Sequence, residues 1–254
     1  MMATSPVLTS LESGVFGITL NRPAKRNALS SEMIELLHQA LAQADFDSGA
    51  RVVLIRGAGK DFCAGLDLDE LLASADKSED ENTVSALRLG TLFHEIRKLP
   101  KPVIALVQGR ALAGGAGLAT ACDLLIASKS SQLGYPEIQR GFVPAMVATL
   151  LRRLTGEKMA LDLILTGRVL SANEALAAGL VSRVVPDAEL ERQGSELANS
   201  LVASSGSALA LTKRLFYELD GRGLHEGIEL GARVNALARS TPDFREALAR
   251  FLRQ

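Results

Sequence analysis

The sequence predicts an α/β fold, with a mostly parallel sheet and its helices over residues 1–187 and a helical C-terminal subregion over residues 188–254. Three observations point there. Apolar runs rich in β-branched residues at positions 15–20, 52–55 and 103–107 are each closed by turn-forming residues, as buried strands are. Segments of helical spacing alternate with these runs, the pattern of βαβ units. After Val185 the apolar spacing turns helical throughout. A chain of 254 residues with 47% hydrophobic content is long enough to bury such a core.

The elements follow in order. The first strand, 15–20, leads to a helix over 30–44, where Ser31 is a cap and Met33, Leu36, Leu37, Ala40 and Leu41 recur on one face. Strand 52–55 leads through Gly59-Lys-Asp-Phe-Cys-Ala-Gly-Leu66 to a second helix start at Asp67-Leu-Asp-Glu-Leu-Leu. The small, polar and charged stretch 74–82 has nothing to bury and reads as a mobile loop between two helices. Strand 103–107 precedes a Gly-rich turn and a helix start, and a further strand covers 124–127. Four helices close the chain, at 188–203, 208–219, 224–238 and 243–252, with breaks at Gly221 and Pro242.

Composition narrows the function. With 28 Lys+Arg against 29 Asp+Glu the net charge is -1, and no basic stripe is interleaved with aromatics, so a nucleic-acid partner is not expected. Cys63 and Cys122 lack metal-site spacing and read as reduced thiols. Residues 1–11 carry no cationic segment followed by an apolar run, and no stretch approaches the ~18 apolar residues of a membrane span. A soluble cytoplasmic protein without membrane contact or metal is expected. His38, His94 and His225 fall in helical stretches without partner motifs and are given no catalytic role.

Chemistry concentrates in two turns. In Pro102-Val-Ile-Ala-Leu-Val-Gln-Gly-Arg-Ala-Leu-Ala-Gly-Gly-Ala-Gly-Leu-Ala-Thr-Ala-Cys-Asp123, Gly114, Gly115 and Gly117 permit close backbone approach at a helix N-terminus. There the amides lack intrahelical partners and the helix dipole favours negative charge. A second set of free amides begins near Leu66. Two such donors converging on one oxygen make an oxyanion hole. Tight helix–strand packing alone would also explain the glycines. A dinucleotide-binding reading is weaker, because Thr120 stands where the fingerprint has its third small residue and Glu137 lies beyond the next strand. Glu137, in Gly134-Tyr-Pro-Glu-Ile, is a candidate proton carrier, although a surface loop carboxylate would read the same way.

These pieces belong to a larger ordered set: Asn21-Arg-Pro-x-x-x-Asn27-Ala-Leu, Phe62-Cys-Ala-Gly-x-Asp67-Leu, Lys101-Pro-Val-Ile-Ala, Gly109-x-Ala-x-x-Gly114-Gly, Cys122-Asp123, Pro136-Glu137-Ile and Leu165-Thr-Gly-Arg, followed by Ala172-x-Glu-Ala and Gly179-Leu-Val. Across nearly the whole chain this set resembles the enoyl-CoA hydratase/isomerase (crotonase) family. The resemblance implies a crotonase-like spiral of ββα units followed by C-terminal helices, assembled as a homotrimer or a dimer of trimers. It implies an acyl-CoA thioester as substrate, with no separate cofactor and the thioester carbonyl between the amides of Leu66 and Gly114. It assigns the Ala64 carbonyl to the adenine amino group, Arg22 and Lys25 to the phosphates, and Phe251 and Arg253 to the nucleotide, often of a neighbouring subunit. Asp123 is expected to be a structural hydrogen-bonding residue.

The resemblance also carries a departure. Hydratases of the family pair the glutamate at position 137 with a second one at the position of Gly117, and the two hold and activate one water. Shifting a double bond from the 3,4 to the 2,3 position needs only one carboxylate, so the chain looks more like the single-glutamate isomerases. Glu70 and Glu95 are the carboxylates from elsewhere that could reach the gap. A hydratase, another thioester-enolate reaction, and a non-catalytic acyl-CoA-binding subunit stay open as alternatives.

Overall fold

The computed structural model describes residues 5–253. In chain order its elements are β1 (Val7–Glu12), β2 (Val15–Leu20), α1 (Ser31–Phe46), β3 (Val52–Gly57), α2 (Leu68–Ala73), α3 (Glu79–Lys98), β4 (Val103–Val107), β5 (Arg110–Leu112), α4 (Gly114–Ala121), β6 (Leu124–Ser128), β7 (Gln132–Gly134), α5 (Ala145–Thr155), α6 (Glu157–Thr166), β8 (Val169–Ser171), α7 (Ala172–Ala177), β9 (Arg183–Val185), α8 (Leu190–Val202), α9 (Gly206–Glu218), α10 (Leu224–Arg239) and α11 (Pro242–Phe251). The large sheet runs β1-β2-β3-β4-β6-β9, and β5-β7-β8 form a second, smaller one. In the large sheet only β1 and β2 pair antiparallel; every later neighbour is parallel.

The two sheets wind together as a spiral. Leaving a strand of the large sheet, the chain adds a short extended piece to the second ladder before entering a helix. Leu29 bridges Leu66, Cys63 bridges Ala111, Ala111 pairs with Leu133 and Leu133 with Leu170. Each turn is therefore a ββα unit, and the extended pieces stack beside one another. One core fills the interior between α1, α3, α4 and the inner sheet face, with Phe16, Ile18, Leu37, Phe93, Ile96, Val107 and Leu118 all buried in it. On the other sheet face, α8 buries Leu190, Leu197 and Ala198 against Val52, Leu54, Ile104, Leu106 and Ile126.

Two local expectations are corrected. Ser30, not Ser31, caps α1: its Oγ accepts from Met33 N at 3.2 Å, while Ser31 is the first helical residue and donates to Glu70. The stretch 74–82 is not one loop. A 3-10 turn spans Ser74–Asp76, and Ser78 with Glu81 forms a capping box that starts α3 at Glu79. Reciprocal bonds at that N-terminus outweigh the polar composition. Beyond α8, helices α9, α10 and α11 pack on one another and leave Phe216, Leu224, Ile228 and Phe251 exposed. Among the described residues no helix is long and apolar enough to cross a membrane.

Candidate active site

The segment 62–66 and strand β5 with its following turn run side by side. Phe62 N donates to Gln108 O, Cys63 N to Arg110 O and Leu112 N to Cys63 O, at 2.9, 3.0 and 3.0 Å. Both segments then leave the ladder and start helices. On one side Gly65 takes φ +103, a conformation open to glycine, and a Cβ there would stand 2.9 Å from Ala113 Cβ and 3.7 Å from Gly114 N. On the other, Ala113 is held at φ 51 and ψ -128, a strained backbone for a residue with a side chain, while its N–H donates to Gly134 O at 2.8 Å. That kink turns the chain from β5 into the buried helix α4. The close approach of α4 depends on Gly115, where a Cβ would fall 2.4 Å from Cys63 O.

Neither Leu66 N nor Gly114 N donates a hydrogen bond within the described residues, while the neighbouring amides of Ala64, Asp67, Leu112 and Ala113 are each tied to a carbonyl. Gly65 O accepts from Leu29 N and Asp67 N donates to Leu29 O, so the residues on both sides of Leu66 are pinned to one partner. Leu66 Cγ lies 3.9 Å from where a Cβ on Gly114 would stand, and Gly114 N lies 3.7 Å from where a Cβ on Gly65 would stand, so residues 65–66 and 114 are neighbours. Gly114 N is also the first amide of α4, at the positive end of its dipole.

Glu137 is the second residue of the 3-10 turn Pro136–Arg140 and is 7% exposed. Its Oε2 is the one carboxylate oxygen, among the described residues, buried without a hydrogen-bond partner. Burial raises its pKa above the ordinary glutamate value, with its own backbone amide and Arg140 opposing the rise. The other buried acids, Asp61 and Asp67, are ion-paired to Arg110 and Arg22, and those guanidinium hydrogen bonds hold both carboxyls below the usual range.

Position 117 has no room for a second acid. A Cβ on Gly117 would stand 2.5 Å from Val147 Cγ1 and 2.7 and 2.9 Å from the Phe93 ring. Glu70 and Glu95 do not supply one either: Glu70 Oε2 accepts from Ser31 N and Oγ at 2.8 Å, and Glu95 Oε2 contacts His38 Nδ1 at 2.6 Å. Sequence reading identified the missing side chain but not the apolar pair that fills its place, because Phe93 and Val147 come from α3 and α5. His38, through Glu95 and the Arg88 carbonyl, joins α1 to α3, while His225 is exposed on α10 beside Glu229.

The nucleotide-side candidates are more scattered. Arg22 is bound inward, to Asp67 Oδ2 at 2.8 Å and Ala28 O at 2.6 Å. Lys25 is exposed and paired with exposed Asp69 at 2.8 Å. Ala64, beside the oxyanion turn, donates its N–H to Arg26 O at 3.0 Å, and its carbonyl accepts no bond within the described residues. Phe251 ends α11 and is exposed, as is Arg253 beyond it; α11 packs on α9 and α10. Asp123 is structural, accepting from Val103 N, Lys213 Nζ and Tyr217 Oη, each at 2.7 Å. The Cys63 thiol is pushed up to about 12 by burial, and Cys122 is raised by burial as well, so neither is a poised nucleophile. Among the described residues no group of three or more His, Cys, Asp or Glu could hold a metal.

The chain is similar to known proteins over almost its whole length. The family model described as enoyl-CoA hydratase/isomerase matches residues 10–254. A Thermus thermophilus protein provisionally named an enoyl-CoA hydratase is 43% identical over 245 residues, covering 96% of this chain and 97% of that protein. The 1,2-epoxyphenylacetyl-CoA isomerase of Escherichia coli is 34% identical over 248 residues, 97% of this chain and 95% of that one. The crystal structure of an enoyl-CoA hydratase from Mycobacterium smegmatis superposes with a TM-score of 0.93 at 32% identity, covering 98% and 96% of the two chains. Hydratase is the commoner name among such relatives. Its sequence motifs, ββα spiral and chain-long matches place this protein in the enoyl-CoA hydratase/isomerase (crotonase) family, whose members act on acyl-CoA thioesters.

Proposed function

We propose that the protein is an enoyl-CoA isomerase that moves a 3,4 double bond into conjugation with the thioester. The observation that carries this reading is the filling of the Gly117 position by Phe93 and Val147, which leaves Glu137 as the unpaired buried carboxylate. The thioester oxygen lies between Leu66 N and Gly114 N. Glu137 takes a proton from C2; the electron pair moves onto the carbonyl oxygen and is stabilised by the two N–H groups as a dienolate. The same carboxyl then returns the proton to C4, and the pair flows back to leave the 2,3 double bond. Each amide contributes about 2.7–4 kcal/mol of transition-state stabilisation, since a fixed backbone dipole needs no reorganisation. Desolvation of Glu137 suits a base, because its proton affinity rises towards that of the carbon acid. No cofactor takes part.

The Ala64 carbonyl and Lys25 are proposed contacts of the coenzyme's adenine and phosphates, with Phe251 and Arg253 reaching the nucleotide of a neighbouring subunit. The exposed apolar side chains of α9 to α11 support a homotrimer or dimer of trimers, testable by sedimentation velocity. Hydration of 2-enoyl-CoA is the second reading, favoured by the names of relatives. Paired 3-enoyl-CoA and 2-enoyl-CoA substrates, followed by absorbance and mass, decide between them. Conversion of the first to its conjugated isomer, lost in Glu137→Gln, supports the isomerase. Disappearance of the crotonyl-CoA chromophore with a gain of one water supports the hydratase. Tight acyl-CoA binding without turnover of either would indicate a binding subunit.

A further inference from the structure

We infer that Arg22 is a positioning residue for the oxyanion turn, aiming the Leu66 amide, and that it does not serve as a cation for the coenzyme's phosphates. The inference rests on the proposed role of Leu66 N as a donor to the thioester oxygen.

The argument is one of connectivity. Arg22 Nη1 donates to Ala28 O at 2.6 Å and Nη2 to Asp67 Oδ2 at 2.8 Å, so one guanidinium joins the two segments that meet at the Leu29–Leu66 bridge. Ala28 is followed by Leu29, whose N–H and C=O bind Gly65 and Asp67. Asp67 is also the N-cap of α2, its Oδ1 accepting from Asp69 N at 3.1 Å. The backbone of Arg22 is itself fixed, its N–H donating to Asn27 Oδ1 at 2.8 Å, and fully buried Asn27 is anchored in turn to Ala58 O and Asp61 O. A ring of hydrogen bonds thus runs Arg22, Ala28, Leu29, Gly65, Leu66, Asp67 and back to Arg22, and the Leu66 N–H is left out of it. Both terminal nitrogens of Arg22 donate to protein acceptors, and its side chain is only 23% exposed. A phosphate would have to share a guanidinium already held to the protein by a carboxylate and a carbonyl that the turn needs. Arginine suits the task because its planar fork reaches two acceptors at a fixed angle, which lysine cannot.

The test separates this role from phosphate binding by removing the phosphates. Wild type, Arg22→Met, Arg22→Lys, Asp67→Asn and the double variant Arg22→Met/Asp67→Asn are assayed with one 3-enoyl group carried on CoA and on pantetheine, which lacks the nucleotide. Arg22→Met is expected to lower kcat about 10- to 100-fold on both carriers, the scale of a misplaced catalytic group, with kcat and kcat/KM falling together. Arg22→Lys should recover part of the loss, and the double variant should be no slower than Arg22→Met alone. A defect confined to KM for the CoA thioester overturns the inference. So does additivity of the two single variants. A readout independent of turnover is the infrared carbonyl stretch of bound butyryl-CoA, lowered when two donors grip the oxygen. If Arg22→Met keeps the full wild-type lowering, the positioning role fails while the oxyanion reading stands; if wild type shows no lowering, both fail. Should Arg22→Met not fold by circular dichroism, Asp67→Asn, which retains an oxygen for the α2 cap, carries the same comparison.

Discussion

Gly117→Ala is the smallest change that asks whether position 117 can carry a side chain, and so whether a second carboxylate could ever have stood there. The added methyl lies 2.5 Å from Val147 Cγ1 and 2.7 Å from Phe93 Cζ, and both neighbours are core residues, 2% and 3% exposed. Within α4 the substitution gains about 0.8–1 kcal/mol of helix propensity. Overpacking a site of this kind costs about 1–3 kcal/mol. Steric cost should win, for a net loss of about 0–2 kcal/mol by that comparison. Val147→Ala alone removes two methyl groups at about 0.8 kcal/mol each, before any cavity cost. In the double variant the new methyl occupies part of the space vacated, so the two losses should fall short of their sum by about 1–2 kcal/mol, a coupling typical of residues in contact. Urea unfolding of the four proteins at one protein concentration measures the cycle. Additivity within about 0.5 kcal/mol would mean that Val147 does not close the site, and the argument for a single-carboxylate mechanism would lose its support.

Three further outcomes follow from the same geometry. Glu137→Gln should reduce isomerisation by about 10²- to 10⁴-fold, and wild-type kcat/KM should rise with pH through a midpoint above the ordinary glutamate value, since burial raises that pKa. A raised folded pKa means that stability is greatest below the unfolded value and is lost as pH rises through the folded one; Glu137→Gln should therefore be the more stable protein at pH 7, with the gap closing as pH falls below the ordinary glutamate value, as urea titrations at both would read. Gly65→Ala forces a side chain into φ +103 and onto Ala113 Cβ at 2.9 Å, for a cost of at least about 1–2 kcal/mol, and thermal unfolding should reveal it alongside a larger fall in kcat than in substrate affinity. Lys213→Met removes a buried ammonium that donates to Ile96 O and Lys101 O and pairs with Asp123; leaving that carboxylate without its cation, with only Val103 N and Tyr217 Oη as donors, should cost about 3 kcal/mol, seen as a lowered urea midpoint.

The legible parts of the fold are those where one element explains its own sequence. β4 is buried at every residue and shows it as an unbroken apolar run, and α1 shows its face through Met33, Leu37, Ala40 and Leu41. β1 was silent because it is an edge strand buried only at Val7, and β5, β7, β8 and β9 are three residues each, too short to carry a period. The start of α3 was written locally, as Ser78 and Glu81, but the surrounding charge masked it. Arg22 reads from the sequence as a phosphate contact for a different reason: its partner Asp67 lies 45 positions away, and nothing in a cationic side chain says whether it faces a carboxylate or a solvent-borne phosphate.

The glycines of the 114–117 stretch bear most directly on how packing relates to chemistry. Read singly, they admit two explanations, close helix packing or room for an anion. The two explanations describe one arrangement. A Cβ on Gly115 would strike the Cys63 carbonyl at 2.4 Å, so only glycine lets α4 settle against the segment that carries Leu66. Gly114, one residue earlier, is less crowded, the nearest atom being Leu89 Cδ2 at 3.3 Å from a Cβ placed there, and its amide donates no hydrogen bond among the described residues. Gly117, two residues on, admits Phe93 and Val147 where a side chain would otherwise project. Packing at 115 brings the donors together, and packing at 117 limits what chemistry they serve. Substitutions along this one turn of helix should therefore separate into those that spread the two amides and those that alter the wall beside the substrate, although all would register equally as a loss of core fit.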